Sequence, residues 1–527
     1  MEALVSTKTM EQIDRDAQRQ WGFPELVLME QAGIKGWNAF LENTERQEVK
    51  TSKLLFVAGG GNNGGDALVM ARQAYLDDFK HIGVLLVGSH ISNACLIQRT
   101  MIASLGLTTY ELSVEAEDIE PQVRTLIEHA DIIIDGLAGT GLRGSLTGKA
   151  AFLVKLLNGQ RERGAHIWAI DIPSGCSDTL QSVHPNINAN ITATMGLKKA
   201  ACYHPGSREA WGKVIVVNPS FPPQLLARAE KSALLCDESD IEVVRLKEDS
   251  YKNKRGHIGI FAGSRQYTGA PRLAAKAAFH SRAGLVTICC DDEISSVVAT
   301  TSPTIIVRSI MKGETILADE LVSEFSSLVA GPGWGFEHEQ QLFEILASGI
   351  PTVLDADAIT IFASLFSKGK LANLSLNKVV LTPHPGELHR MLERLGMPLL
   401  AQETSIVNSS SESFIESMHK IAAMLHVVLV YRSHVVWLFD GNGEYSVPMV
   451  VDGMNNALGV AGSGDVFAGI IGAMLAQHAE PMIAAVNAAV IHQKAGMLAR
   501  TSHGWFDSDE LTEYVGHACR LLEQKAI

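Results

Sequence analysis

Residues 53–69 read KLLFVAGGGNNGGDALV, and this stretch decides the fold of the first half of the chain. An apolar run ends in a cluster of glycines, and an amphipathic stretch begins directly after them. That order is typical of a buried strand, a tight turn and a helix. Glycines at a strand end also let backbone N–H groups approach a ligand without a Cβ in the way. The stretch therefore predicts a strand–turn–helix unit that binds a ligand, with a nucleotide as the first expectation.

The same alternation continues from Lys53 to Val217, through the runs HIGVLLVG, DIIIDGLAG and HIWAIDIPSG. Strand and helix in strict alternation predict a Rossmann-like, doubly wound parallel sheet with both faces covered. Two helical stretches, Thr9 to Trp21 and Pro24 to Leu41, precede the sheet.

A break in composition follows at NPSFPPQ, residues 218–224, and the alternation restarts at HIGIFAGS. The second half closes with two small-residue helices, predicted over Val466–Gln477 and Met482–Ala499. At about 100–200 residues per domain, 527 residues suit two or three domains. We therefore predict an α/β protein with domains at 1–225 and 251–527, joined by a linker over 226–250.

Composition narrows the classes of function. Lys and Arg number 44 against 58 Asp and Glu, a formal charge of −14, and no Lys/Arg-rich block is present in the sequence, so nucleic acid is not expected as a partner. The seven cysteines show no C-x-x-C spacing and predict reduced, mostly buried thiols. The N-terminus lacks a signal pattern, and apolar runs such as Val466–Ala476 fall short of a span of about 18–20 residues. We expect a cytoplasmic protein with no membrane segment.

The glycine turn supports more than one interpretation. Gly59, Gly61 and Gly64 satisfy G-x-G-x-x-G, but the next strand ends in Gly-Ser-His instead of the acidic residue that holds a ribose in dinucleotide-binding folds. A plain turn would explain the glycines and leave Asn62, Asn63 and Asp66 unexplained. Amide and carboxylate groups at a helix N-terminus supply hydrogen bonds that a plain turn does not need.

Two further strand ends carry polar residues: Asp135 precedes GLAGTGLRGS, and Asp171 begins DIPSG. The carboxyl ends of neighbouring parallel strands share one crevice, so the three loops are expected to converge there. Each aspartate alone would most simply cap a helix. The three together predict a site for proton transfer or ion binding.

These motifs, GNNGGD, D-x-x-x-GTGLRG and DIPSG, together with LVLMEQAG at 26–33, resemble the YjeF N-terminal domain, the NAD(P)H-hydrate epimerase, over roughly residues 1–223. The resemblance implies that the hydrated dinucleotide binds two loops, with K⁺ held at the positions of Asn63, Asp135 and Ser174 and with Asp171 as the proton-transfer carboxylate. The implied substrate-binding residues are Asn62, Asn63, Gly64, Gly65, Asp66, Gly139, Thr140, Gly141, Leu142, Arg143, Gly144 and Ser145. Ala67 and Cys176-Ser177 depart from the usual pattern beside these residues.

In the second half the clearest motif is AGSGDVFAGIIGAML, from residue 461. A glycine-rich turn entering a helix presents N–H groups to a phosphate, and Asp465 in the first turn can accept a proton from a hydroxyl group under phosphorylation. No G-K-[ST] follows, so this is not a Walker A loop.

GSGD, with GPGWG (331–335), LDADAI (354–359) and TPHPGE (382–387), resembles the YjeF C-terminal domain, the ribokinase-like NAD(P)H-hydrate dehydratase, over about 251–499. The resemblance implies Asp465 as base, Gly333 and His384 as hydrate contacts, and nucleotide binding at Ser433, His434, Gly462, Ser463 and Gly464. It also implies ADP or ATP as phosphoryl donor, with Mg²⁺. Phosphorylation at the C6 hydroxyl is followed by loss of phosphate, which regenerates NADH or NADPH.

The nucleotide side departs from the family. Tyr431-Arg432-Ser433-His434 stands where Lys-Gly-Ala-His is usual, and Val460 stands where a threonine is usual. Alternation along a strand predicts that Arg432 points to the opposite face from the missing lysine. Weakened or altered use of nucleotide is therefore one expectation, with the fold and hydrate binding retained.

The sequence thus predicts a bifunctional repair enzyme that epimerises R- and S-NADHX and NADPHX and dehydrates the S form. A ribokinase-like small-molecule kinase fits GSGD but not TPHPGE or the first domain. A non-catalytic scaffold is a further alternative, because similar domains occur in messenger-RNA decapping scaffolds. We also expect a homo-oligomer. The sequence leaves open the choice between ADP and ATP and between NADHX and NADPHX.

Overall fold

The structure is a computed structural model that describes residues 1–44, 49–88, 90–112, 119–241, 249–453 and 455–525. It divides into two compact units. The N-terminal unit comprises Ala3–Ser232 and Ile406–Ser413, and the C-terminal unit comprises Met1–Glu2, Ala233–Ser405 and Phe414–Ile527.

The N-terminal part of the chain alternates strands with helices. Its strands are β1 (Glu2–Val5), β2 (Leu54–Ala58), β3 (Ile82–Val87), β4 (Thr109–Leu112), β5 (Ile132–Gly136), β6 (His166–Ile170), β7 (Ile191–Met195), β8 (Lys198–Lys199) and β9 (Lys213–Val217). Its helices are α1 (Thr7–Arg19), α2 (Glu25–Glu42), α3 (Asn62–Leu76), α4 (Asn93–Ser104), α5 (Pro121–Glu128), α6 (Gly148–Glu162), α7 (Arg208–Trp211) and α8 (Pro223–Ala227).

Seven of these strands form one parallel sheet in the order β4-β3-β2-β5-β6-β7-β9. Residues alternate across it: Phe56 of β2 belongs to the apolar cluster with Trp168, whereas Val57 belongs to the cluster with Ile133. Both clusters are buried, so both faces of the sheet are covered. This confirms the doubly wound sheet predicted from the sequence.

The register of this sheet brings three loops together. Val57 of β2 pairs with Asp135 of β5, and Asp135 pairs with Ala169 of β6. The glycine turn after β2, the loop after β5 and Asp171 after β6 therefore begin at the same edge of the sheet, as the sequence predicts.

The C-terminal part of the chain has the same alternation on a larger scale. Its strands are β10 (Ala233–Leu235), β11 (His257–Phe261), β12 (Leu285–Asp291), β13 (Ile306–Ile310), β14 (Ser327–Ala330), β15 (Thr352–Leu354), β16 (Val379–Leu381), β17 (Val428–Tyr431), β18 (Val435–Asp440) and β19 (Met449–Asp452). Its helices are α9 (Gly269–His280), α10 (Asp292–Val298), α11 (Ala318–Glu324), α12 (Glu339–Ala347), α13 (Asp357–Ser367), α14 (Pro385–Arg394), α15 (Pro398–Glu403), α16 (Ser411–Leu425), α17 (Ser463–Ala476), α18 (Pro481–His503) and α19 (Ser508–Lys525).

These strands lie in the order β13-β12-β11-β14-β15-β16-β17-β18-β19-β10. The pairs from β13 to β17 are parallel, and β18 is antiparallel to both β17 and β19. The run VLVYRSHVVWLF is therefore a hairpin. Helices α17 and α18 pack on the sheet through small residues such as Ala468 and Ala484, which let helix and strand backbones come close. The predicted second α/β sheet is confirmed.

The segment 226–250, predicted as a linker, contains a strand. β10 pairs in parallel with β19 through Leu234 and Met449, so this part of the segment belongs to the C-terminal sheet. Residues 242–248 of the segment lie outside the described residues.

All seven cysteines are free and buried, as predicted. Burial raises the pKa of the Cys290 and Cys519 thiols to about 11. Among the described residues, helices long and apolar enough to cross a membrane do not occur.

Candidate functional site

A cavity of about 550 Å³ lies at the carboxyl end of the N-terminal sheet. Residues that follow β2, β5 and β6 line it, and residues of α1 and α2 complete the wall. The predicted site residues on this wall are Asn62, Asn63, Gly64, Asp66, Gly139, Thr140, Gly141, Leu142, Arg143 and Asp171. Gly65, Gly144 and Ser145 stand in the same loops but do not line the cavity.

Asn63 is buried, and neither its Oδ1 nor its Nδ2 has a hydrogen-bond partner among the described residues. Its side chain lies against Gly139, where an added Cβ would be 3.2 Å from Asn63 Cγ. An added Cβ at this distance would push Asn63 aside, so glycine favours this close approach of the loop after β5 to α3. A buried amide with unused polar atoms is uncommon and indicates a ligand for Asn63.

Asp135 and Ser174 bind each other beneath this loop. The Ser174 hydroxyl donates to Asp135 Oδ1 at 2.6 Å, and the Ser174 backbone N–H donates to Oδ2 at 2.8 Å. Burial raises the pKa of Asp135 to about 6, although the hydrogen bonds from Ser174 and from the Leu137 N–H act in the opposite direction. The structure therefore places oxygen donors of all three predicted K⁺ positions around the loop after β5.

Asp171 has a left-handed backbone conformation, with φ of 64°. Such a conformation is costly for a residue other than glycine and is found most often where function requires it. Asp171 Oδ1 accepts hydrogen bonds from the Met195 N–H at 3.0 Å and from Lys199 Nζ at 2.5 Å. Lys199 is fully buried. Sequence analysis missed this lysine, which lies 28 residues beyond its partner.

Two more carboxylates face the same cavity, Asp66 from α3 and Asp14 from α1. Burial raises the pKa of Asp66 well above its usual range, and the charges of Asp171 and Asp14 raise it further. Burial also raises the pKa of Asp14. The cavity thus holds several carboxyl groups, with the pKa of Asp66 and of Asp14 raised, and carboxyl groups in such surroundings are suited to proton transfer. Asp14 has no sequence signal of its own beyond its place in an amphipathic helix.

In the C-terminal unit, α17 begins at Ser463, so the predicted loop GSGD forms its first turn. Gly462 precedes the helix in a left-handed conformation, with φ of 88°. The Ser463 hydroxyl lies 3.1 Å from His492 Nε2. Burial lowers the pKa of His492 to about 4, so this imidazole is neutral. Asp465 is the third residue of the helix and follows Ser463 and Gly464. It therefore lies in the first turn, at the positive end of the helix dipole.

Asp355, Glu387 and Arg432 form an ion cluster near this turn. Arg432 Nη2 donates to Asp355 Oδ1 at 2.6 Å and to Glu387 Oε2 at 3.4 Å, and Arg432 Nε donates to the carbonyl of Thr382. The Thr382 hydroxyl also donates to Asp355 Oδ1, at 2.8 Å. One guanidinium therefore joins the motifs LDADAI and TPHPGE.

Burial and the charges of this cluster both change the pKa of the predicted base, Asp465. Burial raises the pKa of Asp465 to about 7, the carboxylates of Asp355 and Glu387 raise it, and the Arg432 guanidinium lowers it. Burial likewise raises the pKa of Asp355 to about 6, against the effect of Arg432. A carboxyl group with a pKa near 7 can accept and return a proton at neutral pH.

The other predicted residues of this site have mixed surroundings. His384 caps α14: its Nδ1 accepts the Gly386 N–H at 3.0 Å, while Glu387 Oε2 accepts the His384 N–H at 2.9 Å. Gly333 is left-handed, with φ of 57°. Ser433 closes the β17–β18 turn by donating to the Val435 carbonyl at 2.6 Å, and His434 is exposed.

Arg432 lies just beyond the strand from which its direction was predicted, and its side chain contacts different residues from that of Tyr431. β17 ends at Tyr431, and Arg432 lies in the hairpin turn, where its N–H donates to the Pro383 carbonyl at 3.0 Å. Strand alternation no longer governs its side chain, which turns towards Asp355. Tyr431 itself is buried against Phe414, at 5.2 Å between ring centroids, and Val460 packs against the apolar core.

Fold and sites together define a two-domain α/β protein with a carboxylate site at the strand ends of each domain. The sequence profile described as the YjeF-related protein N-terminus matches residues 25–201, and the profile described as NAD(P)H-hydrate dehydratase matches residues 258–516. The chain belongs to the family whose members join these two domains for NAD(P)H-hydrate repair, which confirms the family predicted from the sequence.

Similar proteins have the same two-domain extent. The chain is 28% identical over 554 residues to the bifunctional NAD(P)H-hydrate repair enzyme Nnr of Moorella thermoacetica, covering 99% of this chain and 97% of that protein. It is 27% identical over 492 residues to the protein of the same name from Dictyoglomus turgidum, covering 90% and 89%. Among solved structures, the ADP/ATP-dependent NAD(P)H-hydrate dehydratase of Bacillus subtilis, co-crystallised with ATP and Mg²⁺, aligns at 22% identity and a TM-score of 0.42, covering 54% of this chain and 96% of that one.

Proposed function

We propose that this protein repairs hydrated nicotinamide nucleotides at two active sites. The N-terminal unit interconverts the R and S epimers of NADHX and NADPHX, and the C-terminal unit dehydrates the S epimer with ADP or ATP as phosphoryl donor. The observation that carries the proposal is Asp465, a carboxyl group with a pKa of about 7 in the first turn of a helix behind a glycine turn. This is the group that a hydroxyl nucleophile needs beside a phosphate.

In the C-terminal site, Asp465 accepts the proton of the substrate's C6 hydroxyl. The C6 oxygen then forms a bond to the terminal phosphorus of the nucleotide, and the bond from that phosphorus to the bridging oxygen breaks, so AMP or ADP leaves with the electron pair. Loss of phosphate from C6 and of a proton from C5 restores the C5–C6 double bond. Backbone N–H groups of the turn Gly462–Gly464 face the transferred group and stabilise its charge.

In the N-terminal site, epimerisation at C6 can occur by ring opening or by loss and return of water. Both routes need a proton transfer at the C6 hydroxyl, and Asp171 lies on the cavity wall where such a transfer can take place. Lys199 fixes the direction of this carboxylate through the 2.5 Å contact. Asp66 faces the same cavity and can contact the substrate from the loop after β2.

A K⁺ ion suits the N-terminal site, and a Mg²⁺ ion bound to the nucleotide suits the C-terminal site. The buried, unpartnered Asn63 Oδ1 is a ligand of the kind that K⁺ accepts, and Asp135 and Ser174 supply further oxygen atoms beside the loop after β5, which contacts Asn63. When bound, K⁺ would hold the loops and neutralise charge near the substrate. Mg²⁺ is expected to arrive with the nucleotide, because it prefers phosphate oxygens and waters to an all-protein site. Groups of three or more His, Cys, Asp or Glu that could hold a metal do not occur among the described residues.

A cytoplasmic location and a homo-oligomeric state are parts of the same proposal. Light scattering on the purified full-length protein measures the oligomeric state, and a monomer at micromolar concentration would contradict it.

Recovery of NADH tests both activities. The full-length protein, given an epimer mixture of NADHX with ATP or ADP, Mg²⁺ and K⁺, should restore absorbance at 340 nm for the entire mixture. Asp465→Asn should recover none, because the base is lost. Asp171→Asn should consume only the S epimer, with the R epimer left over on chromatography. Asp319→Asn, in the first turn of α11, and Asp131→Asn, at an exposed turn, are the matched controls. Failure of the wild type to form NADH with either nucleotide would refute the dehydratase.

A further inference from the structure

Arg432 is held in one orientation from three sides. Its Nε and Nη2 bind the Thr382 carbonyl, Asp355 and Glu387, and its backbone N–H binds the Pro383 carbonyl. The side chain is 16% exposed, whereas that of Asp355 is 2% exposed. Because the guanidinium is planar, fixing one edge fixes the direction of the other.

The other edge of this guanidinium faces the glycine turn. A Cβ added at Gly464 would lie 2.2 Å from Arg432 Nη1, so the two residues are in contact. Among the described residues, Nη1 has no hydrogen-bond partner, although the guanidinium carries five N–H donors. An arginine with a free edge beside a turn of backbone N–H groups is arranged to receive an anion.

The negative charges near the glycine turn also favour a cation at the phosphate position. Asp355, Glu387 and Asp465 are near enough to affect one another's ionisation, and a nucleotide brings several more negative charges to this turn. The position where the family has a lysine is occupied by Tyr431, whose ring is buried against Phe414 and which carries no charge. The phosphate chain therefore needs a cation from elsewhere, and Arg432 is in contact with the turn.

We propose that Arg432 binds the terminal phosphoryl group of the nucleotide through Nη1, in place of the lysine that this chain lacks at Tyr431. The inference rests on the proposed function. The glycine at position 464 suits this arrangement, since a side chain there would displace the guanidinium. Arg432 thereby links the site's carboxylates to the phosphate, and nucleotide use is retained by a different residue.

The test compares nucleotides that differ only in phosphate number. Isothermal titration of the full-length protein with ATP, ADP, AMP and adenosine, in the presence of Mg²⁺, gives four affinities. Arg432→Gln should weaken ATP and ADP by about tenfold or more, because a charge-assisted hydrogen bond is lost, and should change adenosine by less than twofold. Arg432→Lys should weaken binding of ATP and ADP by less than Arg432→Gln does, since a lysine keeps the charge but cannot bind Asp355 and a phosphate with two separate edges.

Arg308→Gln is the matched control, because Arg308 lies on the edge strand β13 and pairs with Glu320 and Glu324. Thermal melting shows whether each variant is folded, and Arg432→Lys decides the question if Arg432→Gln does not fold. Equal weakening of all four ligands, or unchanged affinity for ATP in a folded variant, would overturn the role of Arg432. A wild type that binds none of the four removes the proposed function and this inference together. Binding by the wild type with no selective loss in the variants removes the inference alone.

Discussion

Each unit pairs a basic side chain with carboxylates of its site, Lys199 in the N-terminal unit and Arg432 in the C-terminal unit, but the two differ in how many of their N–H groups are already bonded. Lys199 uses all three ammonium hydrogens locally, on Asp171 at 2.5 Å, on the Thr194 hydroxyl at 2.8 Å and on the Met195 carbonyl at 2.9 Å. Arg432 donates hydrogen bonds from Nε and Nη2 to protein groups, and its Nη1 has no hydrogen-bond partner among the described residues. A saturated lysine can only orient the carboxylate beside it, whereas an arginine with an open edge can also bind a ligand.

The largest effect on stability is expected from Lys199. Lys199→Met removes the charged partner of Asp171, which keeps only the Met195 N–H, and leaves the Thr194 and Met195 oxygens without this donor at a buried position. We expect the free energy of unfolding of the N-terminal unit to fall by about 3–5 kcal/mol, as for other broken buried ion pairs. Urea unfolding measures it. Lys80→Met removes an exposed lysine and is the control; equal losses in the two variants would contradict the special position of Lys199.

Arg432→Met should cost less, about 1–3 kcal/mol, although Asp355 is as deeply buried as Lys199. The pKa of Asp355 already stands near 6, so at pH 7 this carboxyl group can take up a proton once the arginine is gone. The same urea experiment on the C-terminal transition checks the order of the two variants. A larger loss for Arg432→Met would break the comparison.

The raised pKa of Asp465 predicts how dehydratase activity and stability depend on pH. Asp465 must be ionised to act as a base, so dehydratase kcat should rise with pH through about 7. Stability has the opposite sign: the pKa of Asp465 is raised on folding, so its contribution is fully present below about pH 4 and is lost as pH rises to about 7. Asp465→Asn should flatten that part of the stability profile. Identical stability profiles for the variant and the wild type between pH 4 and 8 would contradict the shift.

Ser174→Ala should have an intermediate effect. It removes the hydroxyl donor to Asp135 at 2.6 Å while the backbone donor remains, so we expect a loss of about 1–2 kcal/mol and a further rise in the pKa of Asp135. Epimerase activity should at the same time need more K⁺. Titration with KCl against a choline chloride control measures this need, and an unchanged half-saturating concentration would exclude Ser174 from the cation site.

The smallest effect is expected from Arg143→Gln. Arg143 is 85% exposed and lies 3.7 Å from Glu11, a distance at which an exposed pair contributes little. Stability should change by less than about 0.5 kcal/mol, while KM for the hydrate should rise, because the loop loses a cation facing an anionic substrate. A change in kcat alone would assign Arg143 a different role.

Residues next to regular strand ends were predictable, and residues placed by packing were not. Asp135 and Asp171 follow buried strands, and parallel pairing alone brings their loops together. Lys199 and Asp14 come from β8 and α1, whose positions depend on tertiary contacts that leave no spacing in the sequence. The contacts of Arg432 with Asp355 and Thr382 were not predictable, because β17 ends at Tyr431 and strand alternation does not determine the direction of a side chain in the turn.

The buried thiols can be used to measure local opening of the fold, because they react only when they become accessible. Burial raises the pKa of Cys176 in the N-terminal unit and of Cys289 in the C-terminal unit far above neutrality, so neither sulfur reacts while the fold around it is closed. Labelling with a maleimide followed by peptide mass spectrometry would therefore time the opening of each unit separately. If the two labelling rates differ, the N-terminal and C-terminal units open independently of each other.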